Sequence, residues 1–332
     1  MSEPALEVAH TLLPWQQEQW QGLQARLRAG CLPHALLLTG KPGLGKRRFA
    51  EAFVQSLLCQ QPLPDGQACA SCRTCLLYAA GTHPDYLTIQ PAEEGKAILI
   101  DQIRDINAYI ALKGHYGNHR AVIICPADRM NAAAANCLLK ALEEPTPGCL
   151  LLLITSNPGA LLATVRSRCQ LMPFSAPAAD TAIQWLAPQL NDSADPAVLL
   201  AMADGAPLAA LAMFEQGFPA QRAALLEDFT RLLQRKASPT SLAAAWLESG
   251  AGVALQAVLS WTTDMIRLRS TPQPAYLANP DIKSRLTPLA QQFKLPVLYT
   301  RYDYAARALG LLNRQANVQL LLEDVLISWQ QD

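Results

Sequence analysis

The sequence predicts an α/β phosphate-binding domain followed by all-helical domains, on three observations. Gly40-Lys41-Pro42-Gly43-Leu44-Gly45-Lys46-Arg47 carries the glycine and lysine spacing of a Walker A loop, directly after the apolar run Ala35–Thr39. Between about residues 12 and 174, short apolar runs alternate with helix-period segments, as in a parallel sheet covered by helices. From about residue 218 to 329 the apolar residues recur at helical spacing alone.

Taken in order, residues 35–39 form a buried strand entering the glycine loop, and 46–58 continue as a helix. A second strand is expected at 86–90 and a helix from 101 to about 113. Residues 121–125 give a third strand, and 131–142 a helix ended by Pro145. Residues 149–155 give a fourth strand. Ligands of such sheets bind at the carboxyl ends of the strands, where the glycine loop lies.

After Phe174, Pro177, Pro188 and Pro196 punctuate short helices, and Gly205-Ala206-Pro207 interrupts a small bundle. Longer amphipathic helices follow, with breaks at Ser238-Pro239, Ser249-Gly250, Thr271-Pro272 and Leu295-Pro296. The expected organisation is therefore an α/β domain over 1–175, a small helical domain over 176–217 and a larger helical domain over 218–332.

Composition narrows the function classes. Charged residues make up 16% of the 332, against 51% hydrophobic, and the net charge is zero. Gripping nucleic acid unaided usually takes a basic excess, so any role at DNA is expected to be shared with partners. No apolar stretch approaches the roughly 20 residues of a membrane span, and the N-terminus lacks the segments of an export signal. Nine cysteines, an odd number, then point to reduced thiols and metal ligation, and the expected location is cytoplasmic.

The glycine loop can cradle phosphates with its backbone N–H groups, Lys46 adding a positive charge. The next position should carry the Ser or Thr hydroxyl that ligates Mg²⁺, but it is Arg47. The third strand should end in an acidic metal ligand beside a water-positioning Glu, yet it ends in Cys125-Pro126. Asp128, the nearest acid, is expected to lie round the turn and point elsewhere. Hydrolysis of a bound nucleotide has no evident machinery.

Cys69, Cys72 and Cys75 at two-residue spacings, with Cys59 upstream, can converge as thiolates on one tetrahedral Zn²⁺. Four sulfurs close such a site against water, which makes it structural and orders an insertion at about 59–80. Cys31, Cys125, Cys137, Cys149 and Cys169 stand singly on apolar elements and are read as core. Lys113, Arg120 and Arg129 are read as solvated surface charges rather than phosphate contacts. A zinc module binding nucleic acid by itself is disfavoured by the neutral charge and by the lack of interleaved basic and aromatic residues around the cysteines. Ser167-Arg168-Cys169 is a weak motif on its own.

Together these residues resemble the delta-prime family of bacterial DNA polymerase III clamp-loader subunits, within the AAA+ superfamily. The resemblance runs through Pro33-His34-Ala35-Leu36-Leu37-Leu38, the four cysteines and Gly81-Thr82-His83-Pro84-Asp85. It continues through Asn136-Cys137-Leu138-Leu139-Lys140-Ala141-Leu142-Glu143-Glu144-Pro145 and Ser167-Arg168-Cys169, and is looser in the C-terminal third. It implies an AAA+ P-loop domain with a zinc insertion, a helical lid and a helical collar that holds a five-subunit ring. The implied partners are the gamma/tau ATPase subunits and delta, with the sliding clamp and primed DNA reached through the assembled complex. The implied role is a stator without ATPase activity of its own, polymerase activity belonging to the holoenzyme. Arg168 would be offered in trans to a neighbouring subunit's ATP site. Gly40, Gly43, Gly45 and Lys46 would form a degenerate nucleotide site, and Thr155 would match the sensor of the γ-phosphate. The second sensor arginine is replaced by Leu208. ATP or ADP binding remains open, and the competing reading is an active ATPase motor subunit of the same complex.

Overall fold

The computed structural model describes residues 12–330 apart from 94, 111, 113, 118, 192–193 and 313–315, so the expectation for Lys113 lies outside the described residues. The chain divides into two compact units, residues 1–181 and 182–332.

The first unit is built on a parallel sheet of five strands: β1 (Ala35–Thr39), β2 (Tyr86–Ile89), β3 (Arg120–Ile124), β4 (Cys149–Thr155) and β5 (Gln170–Pro173), in the spatial order β2-β3-β4-β1-β5. β1, β3 and β4 are buried along their whole length. Helices on both faces remove these three central strands from water, which is why they read as continuous apolar runs rather than alternating ones. Alternate residues, among them Leu37, Val122, Ile124, Leu151 and Leu153, share one core with Ile103 and Ile106 of α4 (Ile100–Ile110) and Leu138 and Leu142 of α5 (Ala132–Glu143). On the other side α1 (Gln17–Arg28) and α2 (Lys46–Leu58) pack edge to face, Trp20 meeting Phe49 and Phe53 with ring centroids 6.1 and 5.9 Å apart. Asn131 caps α5 by accepting the Ala134 N–H at 2.8 Å. Two short helices, α3 (Arg73–Ala79) and α6 (Ala163–Arg166), complete the unit.

Three expectations need correction in this unit. Cys31, read as core, is exposed just past α1. The fourfold strand pattern misses β5, an exposed edge strand paired with β1; the polar first residue and terminal proline of β5 hide it from a hydrophobic-run search. Arg120 is no solvated charge. It is buried, its Nε 3.4 Å from Oδ1 of Asp85, a carboxylate that also accepts the backbone N–H groups of His115 and Tyr116 at 2.8–3.0 Å.

The division between the units falls inside α7 (Ala179–Leu186). In the second unit, α8 (Pro196–Met202) and α9 (Pro207–Glu215) form a small cluster around Leu186, Leu199 and Ala210. The remaining helices, α10 (Phe218–Leu233), α11 (Pro239–Ser270), α12 (Lys283–Gln291), α13 (Leu295–Leu311) and α14 (Val318–Ser328), share one core containing Phe229, Trp246, Trp261, Leu298, Leu322 and Trp329. The break read at Ser249-Gly250 is a kink within a 32-residue helix, Gly250 standing at φ 106°, ψ 94°. Pro239 and Pro296 open helices rather than break them, as fits a residue without an N–H in the first turn. α11 is the one described helix long and apolar enough to cross a membrane, where the sequence is expected to hold none; many of its apolar side chains, Trp246, Leu255, Val258, Trp261 and Met265 among them, fill this core.

Candidate nucleotide site, cysteine cluster and exposed arginine

The glycine loop lies between β1 and α2 at the carboxyl end of the sheet. Gly40 is dictated by close approach: a Cβ there would stand 2.2 Å from the carbonyl oxygen of Phe174, just past β5. Gly43 and Gly45 adopt φ of 77° and 82°, the left-handed region that glycine enters without penalty. Gly45 is the N-cap of α2, so the helix N-terminus opens onto the loop. A brace from the N-terminal segment holds the loop from behind, Trp15 Nε1 and Gln16 Nε2 donating to the Leu44 carbonyl at 3.1 and 3.2 Å.

Lys46 Nζ donates to the Gly40 and Lys41 carbonyls at 2.6 and 2.7 Å and to Ser156 Oγ at 3.2 Å. All three ammonium hydrogens thus have partners, and engaging a phosphate requires exchanging some of them. Burial pulls its pKa below the ordinary value, against the opposing influence of Cys125 and Asp128. Arg47 turns along α2 to Glu51, Nε 2.8 Å from Oε1, a bond that raises its pKa further. Cys125 at the end of β3 is a half-buried thiol whose pKa burial raises.

Asp128 departs from expectation. The turn after β3 brings it back toward β4, where its Oδ1 accepts the Thr155 hydroxyl at 2.5 Å. Thr155 Oγ1 accepts in turn from the Asn157 N–H at 2.9 Å. Strands β3 and β4 are neighbours, so a residue three positions beyond Cys125 can still reach the adjacent strand end. Sequence spacing missed this, as it missed Gln16 and Ser156, because each contact joins residues far apart in the chain.

The four cysteines come together, their sulfurs all within 4.8 Å of one another. Cys59 Sγ lies 3.6 Å from Cys69 and 3.9 Å from Cys72, and Cys69 lies 3.9 Å from Cys75. Tetrahedral zinc with Zn–S bonds of about 2.3 Å sets its sulfurs roughly 3.8 Å apart, so the cluster is compatible with structural zinc. The backbone N–H groups of Gln61 and Cys69 point at Cys59 Sγ at 3.4 Å, and that of Cys72 at Cys69 Sγ at 3.3 Å. Such donors stabilise thiolates and orient metal ligands. Ala70 adopts φ 59° to let the knuckle close, a conformation L-residues avoid.

In the third motif, Ser167 Oγ donates to the Thr164 carbonyl at 3.1 Å, while the Cys169 side chain is buried in the core and burial pushes its pKa up to about 11. Between them Arg168 is carried outward. Its Nη1 donates to the Thr164 carbonyl at 3.0 Å, and its Nη2 lies 2.7 Å from Glu143 Oε1 at the end of α5. Leu208 is the second residue of α9.

A strand–glycine-loop–helix unit on a parallel sheet, with a cysteine cluster inserted and helical bundles following, defines an AAA+-like P-loop protein. The family described as "DNA polymerase III, delta subunit" matches residues 15–178, and its C-terminal counterpart matches 216–331. A DNA polymerase III delta-prime subunit of Pseudomonas aeruginosa is 35% identical over 322 residues, covering 96% of this chain and 97% of that protein. The Escherichia coli K12 delta-prime subunit is 39% identical over 204 residues, covering 61% of this chain and 60% of its own. A tau subunit of DNA polymerase III from Bacillus subtilis is 31% identical over 152 residues, covering 46% of this chain and 26% of its own. The chain belongs to the delta-prime subunit family of the DNA polymerase III clamp loader.

Proposed function

We propose that this chain is a non-hydrolysing stator of the clamp loader, assembling with ATPase subunits of the gamma/tau type and with delta to place the sliding clamp on primed DNA. The observation that carries the reading is Arg47: the position that should offer a hydroxyl to Mg²⁺ holds a guanidinium engaged by Glu51. Cys125 in place of the strand-end carboxylate and Leu208 in place of the second sensor arginine support it. Asp128 is near Lys46, but its carboxylate already accepts the Thr155 hydroxyl, and no adjacent Glu stands ready to orient water.

Gly40, Gly43, Gly45 and Lys46, with Thr155, would hold ATP or ADP through backbone N–H groups and one ammonium, without turning it over. Cys59, Cys69, Cys72 and Cys75 would hold a structural zinc that orders residues 59–80. Residues 1–175 would be the AAA+ domain, 176–217 the lid and 218–332 the collar of the ring. The reaction would take place in the cytoplasm, at a neighbour's site. There Arg168 would stabilise the charge that develops on the transferred phosphoryl group; by analogy with GTPase arginine fingers such a residue supplies roughly 10³–10⁵ in rate.

The test is steady-state ATPase of the isolated chain and of a reconstituted loader with clamp and primed DNA. The expected results are no turnover from the chain alone and a loss in the complex on Arg168→Ala despite normal assembly. Turnover by the isolated chain would favour the motor-subunit reading instead.

A further inference from the structure

We infer that Glu143 is the positioning residue for Arg168. The inference rests on the trans-arginine reading above and names what holds that arginine ready. Glu143 is the last residue of α5 and Arg168 stands in the turn between α6 and β5, so two separate elements meet at this ion pair. Nη2 is held by Glu143 at 2.7 Å and Nη1 by the Thr164 carbonyl at 3.0 Å. Two anchors on different nitrogens fix the plane of the guanidinium, whereas one would leave it free to rotate.

The fork is not used up. Arginine has five N–H donors. Among the described residues Ser167 Oγ, 3.5 Å from Nη1, is the only further contact, so no more than three donors are engaged there and the rest can meet phosphate oxygens. Both partners are more than a third exposed, at 36% and 48%, so the pair adds little to fold stability. Its effect is geometric: a long side chain already ordered loses less freedom on reaching the transition state. Ordering one such side chain corresponds to about a 2- to 10-fold change in rate.

The experiment compares reconstituted loaders carrying wild type, Glu143→Gln, Glu143→Ala, Arg168→Ala and the double Glu143→Ala/Arg168→Ala, each checked for assembly by size-exclusion chromatography. Turnover that depends on this chain is the difference between wild type and Arg168→Ala. Glu143→Ala is expected to lower that difference about 2- to 10-fold in kcat with KM for ATP unchanged. Glu143→Gln, which keeps the acceptor oxygen, should retain more of it than alanine does. In the Arg168→Ala background, Glu143→Ala should change nothing further. Unchanged or faster turnover in Glu143→Ala, a fall that persists without Arg168, or glutamine as damaging as alanine would overturn the inference. Equal turnover of wild type and Arg168→Ala would instead overturn the trans-arginine reading itself.

Discussion

The Thr155 hydroxyl donates to the Asp128 carboxylate at 2.5 Å, joining the end of β4 to the turn that follows β3. The acid nearest Cys125 in the sequence is therefore part of the strand-end framework. Restoring the missing hydroxyl alone should not create an ATPase. Arg47→Thr supplies a metal ligand, but Cys125 still offers no carboxylate and Pro126, not Glu, follows it. The isolated Arg47→Thr chain is expected to show no turnover in a coupled-enzyme assay. Hydrolysis above background would mean that Asp128 can exchange Thr155 for a metal.

Gly40 tests the packing beneath the loop. A methyl group at this position would meet the Phe174 carbonyl oxygen at 2.2 Å, and the glycine φ of 143° suits no other residue. Gly40→Ala should destabilise the first unit by about 1–3 kcal/mol, the range for forced overpacking. Urea unfolding measures it, and an unchanged midpoint would contradict the contact.

The cysteine cluster predicts one zinc per chain by elemental analysis, lost in Cys72→Ser. Structural zinc sites contribute on the order of 10 kcal/mol in small zinc-dependent folds, so the variant should expose the 59–80 segment to protease. Full zinc content in the variant would show that the metal sits elsewhere.

His83 gives a pH dependence. Its Nδ1 accepts the Asp85 N–H at 3.1 Å, so the neutral ring carries its hydrogen on Nε2, which is buried without a hydrogen-bond partner among the described residues. Burial lowers its pKa below the ordinary 6.5, although Asp85 opposes the shift. Protonation would also break the bond from Asp85. Between the lowered folded value and 6.5 the unfolded chain holds the extra proton, so stability falls as pH drops through that window and is unaffected above it. Zinc-saturated wild type should lose more urea resistance from pH 7.5 to 5.5 than His83→Asn. Equal losses would assign the dependence to other groups.

Much of this was legible in the sequence, for identifiable reasons. Strands buried on both faces announce themselves as apolar runs, and a glycine loop between strand and helix fixes the site's place. The cysteine spacing foretold a cluster because its geometry is local. What stayed hidden was long-range: Gln16 under Leu44, Ser156 on Lys46, Asp128 on Thr155, and Asp85 beside Arg120. A polar residue buried by a partner 27 or more positions away leaves no periodic trace. β5 was missed because an exposed edge strand need not be apolar.

Single-turnover ATP hydrolysis decides whether Arg168 acts in a neighbour's site. Quench-flow would follow the loader bound to clamp and primed DNA, wild type against Arg168→Ala, with assembly verified in both. In Arg168→Ala the fast phase is expected to lose the amplitude of the site this chain serves, while nucleotide binding is kept. A fast phase of the same rate and amplitude in the two complexes would contradict that role.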